Sequence, residues 1–326
     1  MTEDDILKNN DQIEVTQESE ASEKLITSDQ ETESHVEFYR RFQENYGISF
    51  SKGDMLSSSA EEQVDYLSEK KINNAQFLIS KGRRMEEYLP YFKELKKNNP
   101  DALLSIHSSA PKFESLTNPA IKNSEKLLKD LEDAANADCG LVTIHPPEVP
   151  MVVWSEASEE NQAEGVASLA RFYAQAVAAA NRSGKKLELA VENLPAKGNE
   201  GNWGQTPEQI SLILEKTREV LVTQFGYKAE DAIAAIGMTL DIGHALAENK
   251  LEAESVLSKW LKELGQDIKC FHVGADSNLP MMEVKLRLLR ELCEKYQIEV
   301  PIFLESKVDL ATTEDIYDVT KIGLRS

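Results

Sequence analysis

Six short apolar runs in this chain each end in a histidine, an aspartate or a glutamate. They are Leu103–His107, Leu141–His145, Leu187–Glu192, Met238–Asp241, Ile268–His272 and Pro301–Glu305. Four of the five histidines lie at or just past the end of such a run, counting His244, which follows Asp241 by three residues. A buried parallel strand has this pattern when its carboxyl end delivers a polar side chain to a site. The pattern therefore predicts that these side chains meet in one place.

The three carboxylates of this set, on Glu192, Asp241 and Glu305, indicate the chemistry. Burying an unpaired carboxylate is strongly unfavourable, and three carboxylates in one space repel one another unless a cation lies between them. Imidazole and carboxylate ligands together suit Zn²⁺, Mn²⁺ or Co²⁺, whereas an all-oxygen Mg²⁺ site does not need histidine. Each residue alone has a plainer explanation, as a hydrogen-bonded core histidine or a surface acid. The whole set predicts a centre for one or two divalent cations, Zn²⁺ or Mn²⁺ first, with Co²⁺ and Mg²⁺ as alternatives.

The segments around these runs alternate between predicted strands and helices. Two more strands, Tyr46–Phe50 and Ala75–Ile79, precede the six runs. Helices are predicted over Ser59–Lys70, Met85–Lys97, Ser124–Ala137, Ala163–Asn181, Ala253–Leu264 and Met282–Tyr296, with another opened by Thr206 and a closing one from Thr312. Eight strand–helix units in about 280 residues have the length and rhythm of a TIM barrel.

An open doubly wound sheet is the alternative α/β architecture. Such a sheet places its site at one crevice that few strands reach. Here the polar ends come from predicted strands three to eight, and a closed barrel brings six strand ends together. We therefore predict the α/β class, with a single (β/α)8 TIM barrel over residues 46–326.

Residues 1–40 differ in composition from the rest of the chain, because they are rich in acidic and small polar residues. Residues 1–34 hold eleven acids and two lysines, so they carry −9 of the total net charge of −21. Such a segment buries too little apolar surface to offset the entropy lost on folding. We predict a disordered acidic N-terminal tail. The remaining −12 leaves the barrel acidic as well.

Composition also bears on partners and compartment. A protein that binds duplex nucleic acid normally presents a basic face, so the acidic balance argues against such a partner, although a local basic patch is compatible with it. No apolar run reaches the roughly 18 residues of a membrane span, and the N-terminus lacks the basic and apolar regions of a signal peptide. Three widely spaced cysteines indicate no disulfide framework, which favours a reducing cytoplasm. The oligomeric state is not indicated.

Residues from about 46 to 322 resemble the xylose isomerase-like TIM-barrel superfamily, which holds sugar isomerases, epimerases and endonuclease IV-type apurinic endonucleases. The pieces that carry the resemblance are Ser105-Ile-His107-Ser-Ser-Ala-Pro111, Thr143-Ile-His145-Pro-Pro147, Ala190-Val-Glu192-Asn193, Leu240-Asp241-Ile-Gly-His244-Ala245, Phe271-His272-Val-Gly and Leu304-Glu305. In this order and at this spacing they are typical of the superfamily rather than of one reaction.

The resemblance implies a metal quartet of Glu192, Asp241, His272 and Glu305. In endonuclease-type members a second metal is held by the histidines of strands three and four, here His107 and His145, with Glu192 bridging. Their third metal needs a histidine matched by His244 and an Asp-x-His pair after the seventh strand. No histidine follows His272 in this chain, so the third site is incomplete.

The favoured hypothesis is a metal-dependent isomerase or epimerase of a small sugar, polyol or sugar phosphate. As the resemblance implies, Glu192 and Glu305 would exchange a proton with the substrate from two sides. Trp154 and Trp203, in the loops after strands four and five, are candidates to stack on the substrate, although packing explains them equally well. The lysines available to a phosphate group are Lys307, Lys197 and Lys112.

The alternative hypothesis is an endonuclease IV-like phosphodiester hydrolase. His107 and His145 favour it, because they supply ligands for a second metal. The incomplete third site and the absence of a loop rich in Lys and Arg near the strand ends count against it. A non-catalytic binding or scaffold protein is a third interpretation, with only the acidic tail to suggest it.

Overall fold

The computed structural model describes residues 46–50, 65, 74–79, 84–108, 111–113, 121–122, 124–150, 158–195, 200–247, 252–274 and 279–305. The predicted tail over residues 1–40, the closing helix from Thr312, and the helix Ser59–Lys70 apart from residue 65 lie outside this part of the chain. The domain boundaries at 40 and 326 therefore stay predictions.

Eight parallel strands close into a barrel, which confirms the predicted fold class. The strands are β1 Tyr46–Phe50, β2 Asn74–Leu78, β3 Leu103–Ser108, β4 Leu141–Ile144, β5 Glu188–Glu192, β6 Ile236–Asp241, β7 Ile268–Gly274 and β8 Ile302–Glu305. Each strand pairs with its neighbours in sequence, and β8 closes the barrel against β1. All eight carboxyl ends consequently lie at one end of the barrel, as the polar run ends require.

Helices follow the strands and cover the barrel. Their bounds are α1 Leu89–Asn98, α2 Ser124–Asn136, α3 Glu159–Ala180, α4 Pro207–Phe225, α5 Ala229–Ala235, α6 Ala253–Leu264 and α7 Leu279–Tyr296. The start of α4 has the predicted capping residues. The Thr206 hydroxyl accepts a hydrogen bond from the Gln209 N–H, and Pro207 occupies the first turn of the helix. Gly184 adopts φ 76° at the end of the 3₁₀ turn Asn181–Ser183, which directly follows α3.

One predicted helix differs from what is observed, and one observed helix was not predicted. The helix predicted over Met85–Lys97 is a 3₁₀ turn, Met85–Glu87, followed by α1, which begins at Leu89 with Pro90 in its first turn. Proline lacks an N–H but is tolerated in the first turn of a helix, where that N–H would have no intrahelical partner, so the α-helix starts there. The short helix α5 was not predicted, because seven residues give no helical periodicity to recognise.

An irregularity in the pairing of β6 with β7 determines which residues lie opposite each other at the ends of these strands. The register shifts by one residue between Met238 and Thr239, and beyond this bulge Asp241 lies directly opposite His272. Gly237 allows the backbone of β6 to lie close to Asp267, because a Cβ at position 237 would lie 2.2 Å from the carbonyl oxygen of Asp267. The bulge therefore aligns two of the predicted ligands.

Small antiparallel pairings connect the loops at the same end of the barrel. Lys112–Phe113 pairs with Ile121–Lys122, both within the segment after β3. Glu148–Pro150, after β4, pairs with Glu200–Asn202, after β5. Neither pair was predicted, since strands of two or three residues carry no alternating pattern. Among the described helices none is both long enough and apolar enough to cross a membrane.

Candidate metal centre

The strand ends bring together all six predicted ligands and His244. Glu192, Asp241 and Glu305 are the last residues of β5, β6 and β8, and His145 directly follows β4. His107 and His272 lie near the ends of β3 and β7, and His244 lies in the helical turn Ile242–Ala245 after β6. In three overlapping groups, one nitrogen or oxygen from each member lies within 4.8 Å of the others; the groups are His107–Glu192–His272, Glu192–Asp241–His244 and Asp241–His272–Glu305.

Glu192 is the central residue of this cluster, because each of its oxygens faces two imidazoles. Oε2 lies 3.0 Å from Nε2 of His107 and 2.9 Å from Nε2 of His145. Oε1 lies 3.4 Å from Nδ1 of His272 and 3.5 Å from Nδ1 of His244. Glu192 therefore lies between two pairs of histidines, His107 with His145 at one oxygen and His272 with His244 at the other.

Glu305 completes the group around His272. Its Oε1 atom lies 3.2 Å from Nδ1 of His272 and 3.3 Å from Nδ1 of His107. β8 is the direct neighbour of β7, whereas β6 separates β5 from β7, so Glu192 and Glu305 approach His272 from different strands of the barrel wall. Two acids and an imidazole therefore converge on one small volume.

The cluster has a buried floor and a partly exposed rim. Glu192 and His272 are completely buried, and Asp241 is 3% exposed. The side chains that keep between 24% and 29% exposure are those of His145, His244 and Glu305. A small ligand would thus meet these three side chains first.

Several buried atoms of the cluster have unused hydrogen-bonding capacity. Within the described part of the chain no hydrogen bond is made by Glu192 Oε1, His107 Nδ1 or either ring nitrogen of His272. Leaving such buried groups unpaired costs about 1–3 kcal/mol each. The Nδ1 atom of His272 nevertheless lies 3.2–3.4 Å from two carboxylate oxygens. Two ligands each about 2.1 Å from one cation are about 3.0–3.4 Å apart at octahedral to tetrahedral angles, so these residues fit a shared divalent cation.

The carboxylates control the charge of the buried histidines. Burial lowers the pKa of an imidazole, but Glu192 and Glu305 outweigh it and raise the pKa of His107 to about 9. The pKa of His272 is raised well above its ordinary value, because Glu305 and Glu192 again outweigh burial. Both imidazoles therefore hold protons at neutral pH unless a cation takes their place.

The acids respond to the same environment. Burial raises the pKa of a carboxyl group, but His145, His272 and His107 hold the pKa of Glu192 well below its usual value. The pKa of Glu305 is lowered to about 2 against burial by His272 and His107. Burial dominates at Asp241 and raises its pKa to about 6, with His244 opposing the shift. Glu192 and Glu305 are thus ionised at neutral pH and need nearby positive charge.

A buried polar layer beneath the cluster was not predicted. Its side chains come from the residues two positions before predicted ligands, namely Ser105, Thr143, Thr239 and Cys270, together with Gln76 of β2. Nε2 of Gln76 donates to the hydroxyls of Ser105 and Thr143, at 3.1 and 3.3 Å, and the Thr143 and Thr239 hydroxyls lie 2.9 Å apart. The signal was present, because residues i and i−2 of a strand face the same side.

Trp203 lies in packing contacts with Phe113 and with α3. Its side chain is 5% exposed, and its ring meets Phe113 edge-on at 6.4 Å between centroids. It also lies against α3, where a Cβ on Gly165 would be 2.5 Å from Cζ2 of the indole. Of the two interpretations given above, this placement favours packing over substrate stacking.

Of the other predicted substrate contacts, only Lys112 lies within the described residues. Lys112 is exposed in the pairing after β3. Trp154, Lys197 and Lys307 lie outside the described residues. Among the described residues, the structure therefore assigns no phosphate contact.

No protein-family model matches this chain, and no curated protein matches its sequence. Solved structures do resemble it. Endonuclease IV from Thermus thermophilus is 16% identical, with a TM-score of 0.55 over 86% of this chain and 98% of that one. D-psicose 3-epimerase from Clostridium cellulolyticum, solved with D-tagatose, is 10% identical, with a TM-score of 0.55 over 86% and 96%.

An AP endonuclease of family 2 from Brucella melitensis is also similar, at 13% identity and a TM-score of 0.51 over 82% of this chain and 95% of that one. At these identities the likenesses show a shared fold. They confirm the closed (β/α)8 barrel that the sequence predicts. Because one fold supports many reactions, the reaction must be argued from the site.

Proposed function

We propose that the protein is a divalent-metal-dependent isomerase or epimerase of a small sugar, polyol or sugar phosphate. The observation that carries the proposal is the placement of two carboxylates about one buried imidazole. Glu192 Oε1 and Glu305 Oε1 lie 3.4 and 3.2 Å from His272 Nδ1, and they come from β5 and β8. Two bases on different sides of one small space suit a reaction that removes a proton and returns it elsewhere.

The residues that would hold the cation are the quartet Glu192, Asp241, His272 and Glu305. The cation would supply polarisation of two neighbouring substrate oxygens, which acidifies the C–H group between them. We expect Zn²⁺ or Mn²⁺, because the donors are mixed nitrogen and oxygen atoms, with Co²⁺ and Mg²⁺ as the alternatives.

The two glutamates then carry the proton. Both are ionised at neutral pH, since the nearby histidines hold their pKa values low. One carboxylate removes the proton from the substrate carbon and the other returns one, on the opposite face for an epimerase or at the adjacent carbon for an isomerase. The partly exposed Glu305 lies at the rim, whereas Glu192 lies at the buried floor, so a sugar ring or chain between them contacts both.

The similar structures are those of enzymes, which supports an enzyme here. One of them is a D-psicose 3-epimerase solved with D-tagatose, which is a small sugar. A small neutral sugar is also compatible with the strongly acidic chain, whereas duplex nucleic acid is a poorer partner for a net charge of −21. The three cysteines are buried and unpaired, and on that basis we assign the protein to a reducing cytoplasm.

Proton exchange tests the proposal directly. The wild-type protein, loaded with Mn²⁺ or Zn²⁺, is incubated in D₂O with a panel of ketoses that includes D-tagatose and D-fructose. We expect deuterium at the carbon next to the carbonyl group, and loss of that exchange in Glu305→Gln. The control is Glu188→Gln, at the opposite end of β5, where the acid pairs with Lys269 instead of the cluster. Absence of exchange with every sugar and cation in the wild type would reject the proposal.

A second candidate is a phosphodiester hydrolase of the endonuclease IV type. The triangle of His107 Nε2, His145 Nε2 and Glu192 Oε2, with sides of 3.1, 3.0 and 2.9 Å, favours it because it suits a second cation. The lack of any histidine after His272 leaves a third cation without its ligands, which ranks this candidate second. Hydrolysis of an abasic-site duplex is the assay that distinguishes it.

A further inference from the structure

We propose that Asn193 is a positioning residue, which holds Asp241 and His244 in place for the cation. The inference rests on the metal centre of the proposed function, but it does not depend on which reaction the centre performs. Asn193 directly follows Glu192 and is completely buried, and the sequence alone assigns no role to it.

The side chain of Asn193 satisfies both backbone groups of Asp241. The Asp241 N–H donates to Oδ1 of Asn193 at 2.6 Å, and Nδ2 of Asn193 donates to the Asp241 carbonyl at 3.1 Å. This side-chain amide therefore takes the place of a neighbouring strand. The regular β5–β6 register ends at the pair Thr239 and Glu192, so the amide extends the pairing to the residue that carries the ligand.

Fixing the backbone of Asp241 also fixes its carboxylate. Oδ1 of Asp241 accepts a hydrogen bond from the His244 N–H at 2.6 Å, which caps the helical turn Ile242–Ala245. With the backbone and one carboxylate oxygen held, the side chain has little rotational freedom left. Its orientation toward His272 and Glu305 follows from these contacts, not from the cation.

The backbone of Asn193 contacts the imidazole of His244. Its carbonyl oxygen lies 2.9 Å from Nδ1 of His244, and a carbonyl can only accept, so Nδ1 is the nitrogen that carries the proton. In the neutral imidazole, Nε2 is then the nitrogen with the free lone pair. One residue thus sets the backbone of Asp241 and the tautomer of His244 while lying next to Glu192 in sequence.

A buried asparagine could instead serve stability alone, and cation binding distinguishes the two roles. We would compare Asn193→Leu and Asn193→Ala with Thr217→Val in the full chain. Thr217 is also completely buried, and its hydroxyl donates to the Ile213 carbonyl within α4, away from the cluster. All three variants remove a buried side-chain hydrogen bond, but only the first two change the support of a ligand.

The measurements are Zn²⁺ affinity by competition with a chelator, the visible absorption of bound Co²⁺, and the melting temperature. We expect the Asn193 variants to bind Zn²⁺ about 10- to 100-fold more weakly and to shift the Co²⁺ bands, as loss of an outer contact to a ligand does. Thr217→Val should lower the melting temperature and leave both cation measurements at wild-type values. If Asn193→Leu does not fold, Asn193→Ala decides the outcome.

Two results would overturn the inference. Unchanged Zn²⁺ affinity and Co²⁺ absorption in both Asn193 variants would show that the residue serves stability only. An equal loss of affinity in Thr217→Val would show that any loosening of the barrel weakens the centre. Failure of the wild type to bind Zn²⁺ or Co²⁺ at all is a separate result, because it rejects the metal centre itself.

Discussion

The Nε2 atoms of His107 and His145 lie 3.1 Å apart, and both face the same oxygen of Glu192. An imidazole Nε2 has either one hydrogen or one lone pair, so it can make only one good hydrogen bond at a time. Two such nitrogens and one carboxylate oxygen in a triangle are better satisfied by a shared cation. This relationship separates the two candidate chemistries, because only the hydrolase requires a cation at that position.

His145→Ala tests which chemistry the centre performs. We predict that the variant keeps the quartet cation, because Glu192, Asp241, His272 and Glu305 are untouched. Turnover of a sugar substrate should fall by about 10- to 100-fold, as expected for an outer-shell partner. The measurements are metal content by elemental analysis and steady-state rates on the sugar identified by deuterium exchange.

The opposite outcome is equally specific. If His145→Ala loses half of its bound metal together with activity on an abasic-site duplex, the second cation and the hydrolase are supported. The ranking of the two functions would then be reversed.

Gly165→Ala tests the packing role of Trp203. The new Cβ would lie 2.5 Å from Cζ2 of the indole, so the ring must move, and overpacking of this kind costs about 1–3 kcal/mol. We expect a lower free energy of unfolding in denaturant titration, and a smaller loss when the change is made in Trp203→Phe. A mobile Trp203 would give the reverse result, because Gly to Ala within a helix otherwise stabilises by about 0.5–1 kcal/mol.

Cation binding should release protons. The pKa of His107 is raised to about 9 and that of His272 well above its ordinary value, so both imidazoles are protonated at pH 7. His272 must lose its proton to ligate the cation, and a cation between Glu192 and Glu305 also removes the cause that keeps His107 protonated. We predict proton release at pH 7 that diminishes as the pH rises through 9, with affinity increasing over the same range. Calorimetric titration in two buffers of different ionisation enthalpy measures it. Identical enthalpies in both buffers at pH 7 would contradict the assigned charges.

Deleting residues 1–34 tests the predicted tail. The segment is acidic and has few apolar residues, so we expect the melting temperature and metal content of the truncated protein to match those of the full chain. A clearly lower melting temperature would show that the segment packs on the barrel.

The fold and the cluster could be predicted because they follow from short-range pattern. An apolar run such as Leu187–Glu192 specifies both a buried strand and a polar residue at its end, and parallel strands in a barrel share one carboxyl end. His107 and Glu305, far apart in the chain, could therefore be placed together without any knowledge of their distance. The structure has their side chains 3.3 Å apart.

What could not be predicted depends on contacts between distant segments. Asn193 is a polar residue in a loop until its amide is seen to pair with the backbone of Asp241. The packing interpretation of Trp203 rests on its contact with Gly165, which lies on another element and could not be matched to it from the sequence. The bulge between Met238 and Thr239 places Asp241 directly opposite His272, and the sequence contains no pattern that predicts this bulge.

Glu188 and Glu192 provide the most direct test of the central claim, which is that the cluster holds a divalent cation. They are the first and last residues of β5, so the same substitution is made in one strand at opposite ends of the barrel. Glu188 pairs with Lys269 at 2.9 Å, whereas both oxygens of Glu192 face histidines.

The measurement is the stoichiometry of Mn²⁺ or Zn²⁺ binding, by calorimetric titration and elemental analysis, in the wild type, Glu192→Gln and Glu188→Gln. We predict at least one equivalent in the wild type and the same in Glu188→Gln. Glu192→Gln should lose it, because an amide is a weaker ligand and leaves the histidines without their common carboxylate. Equal binding by all three proteins, or none in the wild type, would contradict the metal centre.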